Sequence, residues 1–381
     1  MSHTRRSKGA GVSEYQYYEF VAIDRPLDGR QLDQVRALST RAHITPSSFV
    51  NTYQWGNFRG DPRALMARYY DAFIYLANWG TRQVMLRVPA RLLDLATAQR
   101  YCVGDVASAW RSGEHVIIDL VSEDESGGDF EWGGEGWLAS IIPSRAELVA
   151  RDLRLLYVAW LLCVQADEVP DEATEPPVPS GLATLTGSLE SLVEFLRIDA
   201  DLLAVAGAGA TPEVRSDADM ASWIANLPGP EKDAVLLALI RGDDVHARAG
   251  LLRRFRGETP TPEGCRTAGA LRDAADARRV ERERVEEQRR QQAAAEREQR
   301  QAAAREQRLA AVAAEGDRAW GRVSSLIATK KPAEYDRAVA LLDDLQAVAA
   351  ADDFGRRLGE LRHTHRNKPS LIERLDRARL R

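Results

Sequence analysis

SSFVNTYQWGNFRGDP, residues 47–62, moves from a strand pattern to a helix start within one short passage. On an extended chain Phe49, Asn51, Tyr53 and Trp55 share one side, while Val50, Thr52 and Gln54 share the other. Gly56 and Gly60 bracket a turn. Asp61-Pro62 then supplies an N-cap and a first helical residue. A strand that hands over to a helix in this way, next to other strand patterns, reads as an α+β domain.

Working outward, YYEFVAID (17–24) is a strand, and LDGRQLDQVRALST (27–40) carries Leu32, Val35 and Leu38 at helical spacing. A helix is expected from Pro62 to about Trp79, burying Leu65, Tyr69, Phe73 and Leu76, with Gly80 as its stop. RQVMLRV (82–88) and EHVIIDLV (114–121) are further strands, with a helix over 90–100 between them. Residues 122–137 read as a polar turn and a short returning strand. A Ser144…Glu147 capping box is expected to open a long helix carrying Leu148, Leu153, Leu156, Tyr157, Trp160 and Val164. The expected organisation is a disordered start (1–14), an α+β domain of mixed sheet and flanking helices (15–168), and a stiff Pro-rich linker (167–181). A helical domain (182–265), a charged helix or coiled coil (266–316) and a helical module with a basic end (317–381) follow, so helix predominates.

Residues 272–308 contain eleven Arg and nine acidic residues, with most of the remainder Ala or Gln. Opposite charges recur four apart, as in Arg282–Glu286, Glu286–Arg290 and Glu296–Arg300. Val280 and Val285 are the sizeable apolar residues before Leu309, so no a/d seam forms and a solvated single helix is expected over a coiled coil. A homodimer through 266–316 is the alternative. Beyond Gly316, helical patterns cover 333–351, 354–366 and 371–380, the last opened by a Ser370…Glu373 capping box.

The whole chain of 381 residues has a net charge of −5, but residues 354–381 carry nine Arg and Lys against three acidic residues. An acidic body with a basic tail points to an interaction tail. Arg356, Arg357, Arg362, Arg366, Lys368 and Arg374 are the expected contacts for nucleic acid or a protein partner. Three widely spaced cysteines give neither a zinc knuckle nor a disulfide framework. The amino-terminal MSHTRRSKGAG has no apolar run after its basic residues. The longest apolar run, LLYVAWLLCV (155–164), is short for a membrane span. A cytoplasmic protein with no membrane partner is expected.

No HExxH, GxSxG, GxxxxGK[ST] or strand-linked GxGxxG occurs. His363 and His365 are about 200° apart on a helix, so they form no ligand pair. The acidic run from Asp119 to Glu135 puts Asp129 where an EF-hand needs glycine. Asp119 and Glu131 could face each other as paired carboxylates, but no lysine lies between Lys8 and Lys232 to assist them. No metal and no cofactor are expected. For the opening stretch two readings stand. Phe49, Tyr53 and Trp55 form an ordinary core face, or Asn51, Tyr53, Trp55 and Arg59 line a pocket joined by Asn78 and Arg82. Asn51 favours the second, because a buried amide needs partners.

The runs YYEFVAIDRPL, ITPSSFVNTYQWGNFRGDPRALMARYYDAFIYLANWGTRQVMLRVP, GWL and EPPVPSGL resemble an uncharacterised family of bacterial hypothetical proteins of actinobacterial type, over about residues 15–200. YDRAVALLDDLQ…FGRRLGELRHTHRNKPSLIERLDRARL is similar to the tail of bacterial SWIM-zinc-finger proteins. The CxCx(n)CxH motif of those proteins is missing here, so their zinc function does not transfer. The resemblance implies a bacterial, multi-domain protein. The expected function is a non-enzymatic interaction or scaffold protein, with nucleic acid as a partner of the basic tail. The alternative is an enzyme of unrecognised type with its pocket in the α+β domain.

Overall fold

The computed structural model describes residues 15–56, 58–124, 133–210, 217–241, 251, 254–255 and 265–380. The chain divides into two compact units, Met1–Val280 and Glu281–Arg381. The expected disordered start, 1–14, lies outside the described residues.

The first unit is built on a seven-stranded sheet. Its strands are β1 (Gln16–Val21), β2 (His43–Ile44), β3 (Ser48–Tyr53), β4 (Ala72–Ala77), β5 (Arg82–Pro89), β6 (Ala107–Ser112) and β7 (His115–Ser122). They lie in the order β2-β3-β1-β4-β5-β7-β6. The α+β class is as expected. Where a mixed sheet is anticipated, every pairing is antiparallel. Alternation along each strand divides the side chains between two cores. On one face Phe20, Phe49, Phe73, Met85 and Ile117 pack with Val35 of α1 (Gly29–Arg36) and with Leu65 and Met66 of α2 (Pro62–Arg68). Phe20 is central, with ring centroids 4.3 Å from Phe73 and 5.4 Å from Phe49. Both short helices are capped as their sequences imply: Asp28 and Gln31 form a capping box, and Asp61 accepts from the Arg63 N–H.

On the other face Ile74, Leu76, Val84, Leu86, Val116 and Ile118 meet a helical layer. After the short α3 (Leu95–Gln99), this layer comprises α4 (Trp137–Val149), α5 (Arg154–Gln165), α6 (Gly187–Leu196) and α7 (Ala200–Ala208). α8 (Asp217–Asn226) and α9 (Gly229–Ile240) follow. A buried ion cluster ties sheet to helices. Asp71 accepts from the N–H groups of Ile23 and Asp24 at 2.7 and 2.9 Å, and from Arg87 at 2.8 and 3.0 Å. Arg145 of α4 clasps Asp24 at 2.6 and 3.0 Å.

Three expectations are corrected in this unit. The helix from Pro62 stops at Arg68, and AFIYLA (72–77) becomes β4, with Gly80 (φ +104°) in the β4–β5 turn. β4 sits in mid-sheet with both faces covered, so it reads as a continuous apolar run that periodicity cannot separate from a helix. Ser144 lies inside α4, where its hydroxyl donates to the Ile141 carbonyl, and Glu147 accepts from Thr186 and Ser188 instead of closing a capping box. The expected long helix is two helices, α4 and α5, with Arg151 left-handed at φ +61° between them. The Pro-rich 167–181 segment is no exposed linker: Glu175–Pro179 is buried, Tyr101 donates to the Pro177 carbonyl, and Arg266 and Tyr157 hold Glu175. The edge strand β6 was not anticipated. The returning strand expected in 122–137 falls largely on 125–132, outside the described residues.

α10 (Ala268–Glu315) is one continuous helix of 48 residues. Its first turns bury Ala268, Leu271 and Ala275 in the first unit, and Arg272, Arg278 and Arg279 pair with Asp171, Asp201 and Asp199 there. All three ion pairs expected from its charge ladder are present, at 3.2–3.5 Å. The second unit adds α11 (Asp317–Ala328), α12 (Pro332–Val348), α13 (Ala351–Thr364) and α14 (Pro369–Arg377) around a core including Val312, Val323, Leu342, Phe354 and Leu371. α11 was not anticipated, and α14 starts after Lys368 with Ser370 already helical, so the expected capping box is not formed.

Candidate functional site

The pocket inferred from 47–62 is not one site. Asn51 and Tyr53 are buried on the aromatic face of β3, where Asn51 donates to the Ser39 hydroxyl at 3.0 Å and Tyr53 stands edge-on to Tyr18. Trp55 lies beyond the strand end, 65% exposed, under the Arg41 guanidinium at 3.9 Å. Arg59 is exposed in the following turn. Asn78 accepts from the Tyr15 N–H at the β4–β5 turn. Arg82 belongs to the opposite face, where it reaches the Glu194 and Phe195 carbonyls of α6. Strand alternation thus separates residues that sequence distance makes look adjacent.

The polar residues that do converge on the aromatic face are others. Asp119 of β7, 1% exposed, accepts from Arg63 at 2.7 and 3.0 Å and from Gln83 at 2.6 Å. The Arg63 guanidinium also stacks 4.8 Å from the Trp110 ring. Beside it the Gln16 amide oxygen accepts from Tyr18 and Tyr75. Each of these groups finds its partner within the chain, as buried polar groups must. Asp119 is therefore committed to Arg63, and Glu131, weighed as a carboxylate that could face it, lies outside the described residues. On the far face of β1, burial raises the Glu19 carboxyl above its ordinary value, against the lowering effect of the Tyr17 hydroxyl; Glu135 adds to the rise. Burial likewise pushes the Cys102 thiol up to about 12 and Cys163 up to about 11, which makes both inert packing residues. Among the described residues no group of three or more His, Cys, Asp and Glu could hold a metal ion, and no helix is long and apolar enough to cross a membrane.

The basic tail is mostly engaged with its own unit. Arg356 pairs with Asp353 and Glu360, Arg357 with Asp317 and Asp353, and Arg362 with Asp376. Arg374 pairs with Asp336, and Lys368 donates to the Ile327 carbonyl. The Arg366 side chain alone of the six has no hydrogen bond or ion pair among the described residues.

The least satisfied surface was not singled out from the sequence. α9 contributes no buried residue, and its Leu236, Leu237, Leu239 and Ile240 are exposed, Ile240 at 83%. Ile224 on α8 is exposed as well. The signal was AVLLALI (234–240), a run apolar on every side of a helix, which marks a helix to be covered all round. A second feature lies between α6 and α7: an open groove of about 550 Å³ lined by Leu182, Leu185, Val193, Ile198 and Leu203, with Glu190 and Glu194 beside it.

No family model, no curated protein and no solved structure matches this chain.

Proposed function

We propose that this chain is a non-enzymatic interaction protein and that α9 is part of its contact surface. The observation that carries the reading is the row of Leu236, Leu237, Leu239 and Ile240, exposed among the described residues and clustered on one short helix, whereas the unit's other exposed large apolar residues stand scattered. Contiguous exposed apolar patches mark sites of protein association, because leaving them in water forfeits roughly 25 cal/mol per Å². The proposed setting is the bacterial cytoplasm, an assignment that rests on composition and on the sequence resemblance.

Nucleic acid as the partner of the tail is the second reading, favoured by the net charge of residues 354–381. Five of its six named cations already have partners, so phosphate would first have to displace carboxylates or a carbonyl. An enzymatic pocket at Asn51, Trp55, Arg59 and Arg82 has less support still, since Asn51 and Arg82 occupy opposite faces of the sheet.

The test is a photo-reactive phenylalanine analogue placed at position 237 of the full chain in the producing cell. Irradiation is expected to yield a discrete heavier adduct, and the same probe at exposed position 59 to yield none. Absence of an adduct at 237 would overturn the proposal.

A further inference from the structure

We propose that the cavity between the α3–β6 turn and the 168–177 segment is a binding site for a free amino acid with an apolar side chain. It uses no residue of α9, so it stands or falls independently of the reading above. Its volume is about 420 Å³, inside the roughly 300–1,000 Å³ of ligand pockets. Val103, Val169, Pro176 and Pro177 give it an apolar wall, and Val103 is 48% exposed there with nothing over it. Trp160 carries the inference. It belongs to α5, is 2% exposed and lines the cavity. A buried indole N–H ordinarily finds an acceptor. That of Trp160 has none among the described residues, yet it is not sealed off in the core as the Tyr70 hydroxyl is. The cavity is therefore where this donor opens.

The lining carries uncommitted charge of both signs. Arg100, exposed at the end of α3, makes no hydrogen bond or ion pair through its guanidinium among the described residues. Glu168 accepts from the Val106 N–H at 3.1 and 3.3 Å, and its carboxylate has further lone pairs to offer. The turn after α3 brings the two together: a Cβ at Gly104, four residues past Arg100, would stand 1.9 Å from the Glu168 carboxylate. Other carboxylates of this acidic segment are engaged within the chain, Asp167 and Asp171 with Arg272, and Glu175 with Arg266 and Tyr157. Exposed Glu172 is not in the lining. The cavity thus offers a guanidinium and an indole N–H to a carboxylate, a carboxylate to an ammonium, and an apolar wall to a side chain. A simple anion would face Glu168 and a simple cation Arg100, whereas a zwitterion satisfies both.

The indole N–H peak of Trp160 in a proton–nitrogen correlation spectrum of the full chain, assigned by its loss in Trp160→Phe, reads the site directly. Titration with phenylalanine or leucine should move that peak to saturation. Hydrocinnamate, which is phenylalanine without its ammonium, and phenethylamine, which lacks the carboxylate, should each bind at least about tenfold more weakly, the effect of losing a charged hydrogen-bond partner. Arg100→Gln should weaken phenylalanine by a similar factor and leave phenethylamine unchanged. Glu168→Gln, which keeps an acceptor for Val106, should weaken phenylalanine likewise and leave hydrocinnamate unchanged. Where Trp160→Phe perturbs folding, saturation transfer from protein to ligand reads the same affinities without it. A peak that none of the probes moves would overturn the inference, as would affinities that neither charge substitution changes. Equal binding of phenylalanine and either of its truncated analogues would overturn it too, by showing an apolar cavity with no use for a zwitterion.

Discussion

α5, RLLYVAWLLCVQ, and α9, GPEKDAVLLALI, are twelve residues each and apolar along most of their length. Eleven residues of α5 are buried and none of α9. The difference lies in their surroundings. α5 lies under the sheet beside α4, α6 and α7, and its one charged core residue, Arg154, is matched by Asp152 and by the Gly181 and Thr184 carbonyls. Nothing in the described chain plays that part for α9. A helix with no polar face is a statement about a cover, and only the fold says whether the cover is supplied in the same chain.

Substitutions sharpen this contrast, beginning with the largest effects. Leu161→Ala in α5 removes a fully buried side chain and is expected to cost about 2–5 kcal/mol in urea unfolding of the first unit. Asp71→Ala leaves Arg87 without its buried carboxylate and the Ile23 and Asp24 N–H groups without their acceptor, and should cost about 3–5 kcal/mol by the same measurement. Leu237→Ser in α9 should change the stability of the dilute chain by less than about 0.5 kcal/mol, as for a surface site. A loss comparable to that of Leu161→Ala would erase the distinction between the two helices.

A pH series gives a finer comparison within the first unit. Burial alone would raise the Glu175 carboxyl, but hydrogen bonds from Arg266 and Tyr157 outweigh it and hold the group below its ordinary 4.5. A depressed folded value means stability that is present above 4.5 and is lost as pH falls through the folded value. Glu175→Gln should therefore be less stable at neutral pH, and the gap from wild type should narrow below pH 4.5. A constant gap across that window would contradict the assignment. At the small end, Arg300→Ala breaks an exposed pair with Glu296 and should leave far-UV helicity unchanged.

Much of this fold was legible because local chemistry specified it. β1, β3, β5 and β7 alternate or carry β-branched and aromatic runs, and the arginine–glutamate ladder of α10 closes as its spacing implies. β4 was hidden because both of its faces are buried, which removes the period-two signal. Ser144 fails as a cap because it lies inside α4 and because Thr186 and Ser188, distant in sequence, donate to Glu147. At the candidate site, Asn51 is buried and its amide donates to the Ser39 hydroxyl, a partner twelve residues away that strand alternation does not name. That Arg82 faces the other way depended on strand register, which the hidden β4 obscured. Exposure of α9 lay furthest from the sequence, since AVLLALI looks the same whether covered or bare.

The central claim is that α9, bare among the described residues, is covered in the working state of the protein. Maleimide labelling of a Leu237→Cys chain measures this against a ruler the protein already contains, exposed Cys265 with buried Cys102 and Cys163. In dilute purified protein positions 237 and 265 should both label quickly while 102 and 163 stay silent. In the undiluted extract of the producing cell, position 237 should label much more slowly and Cys265 as before. Equal labelling of 237 and 265 under both conditions would contradict the account.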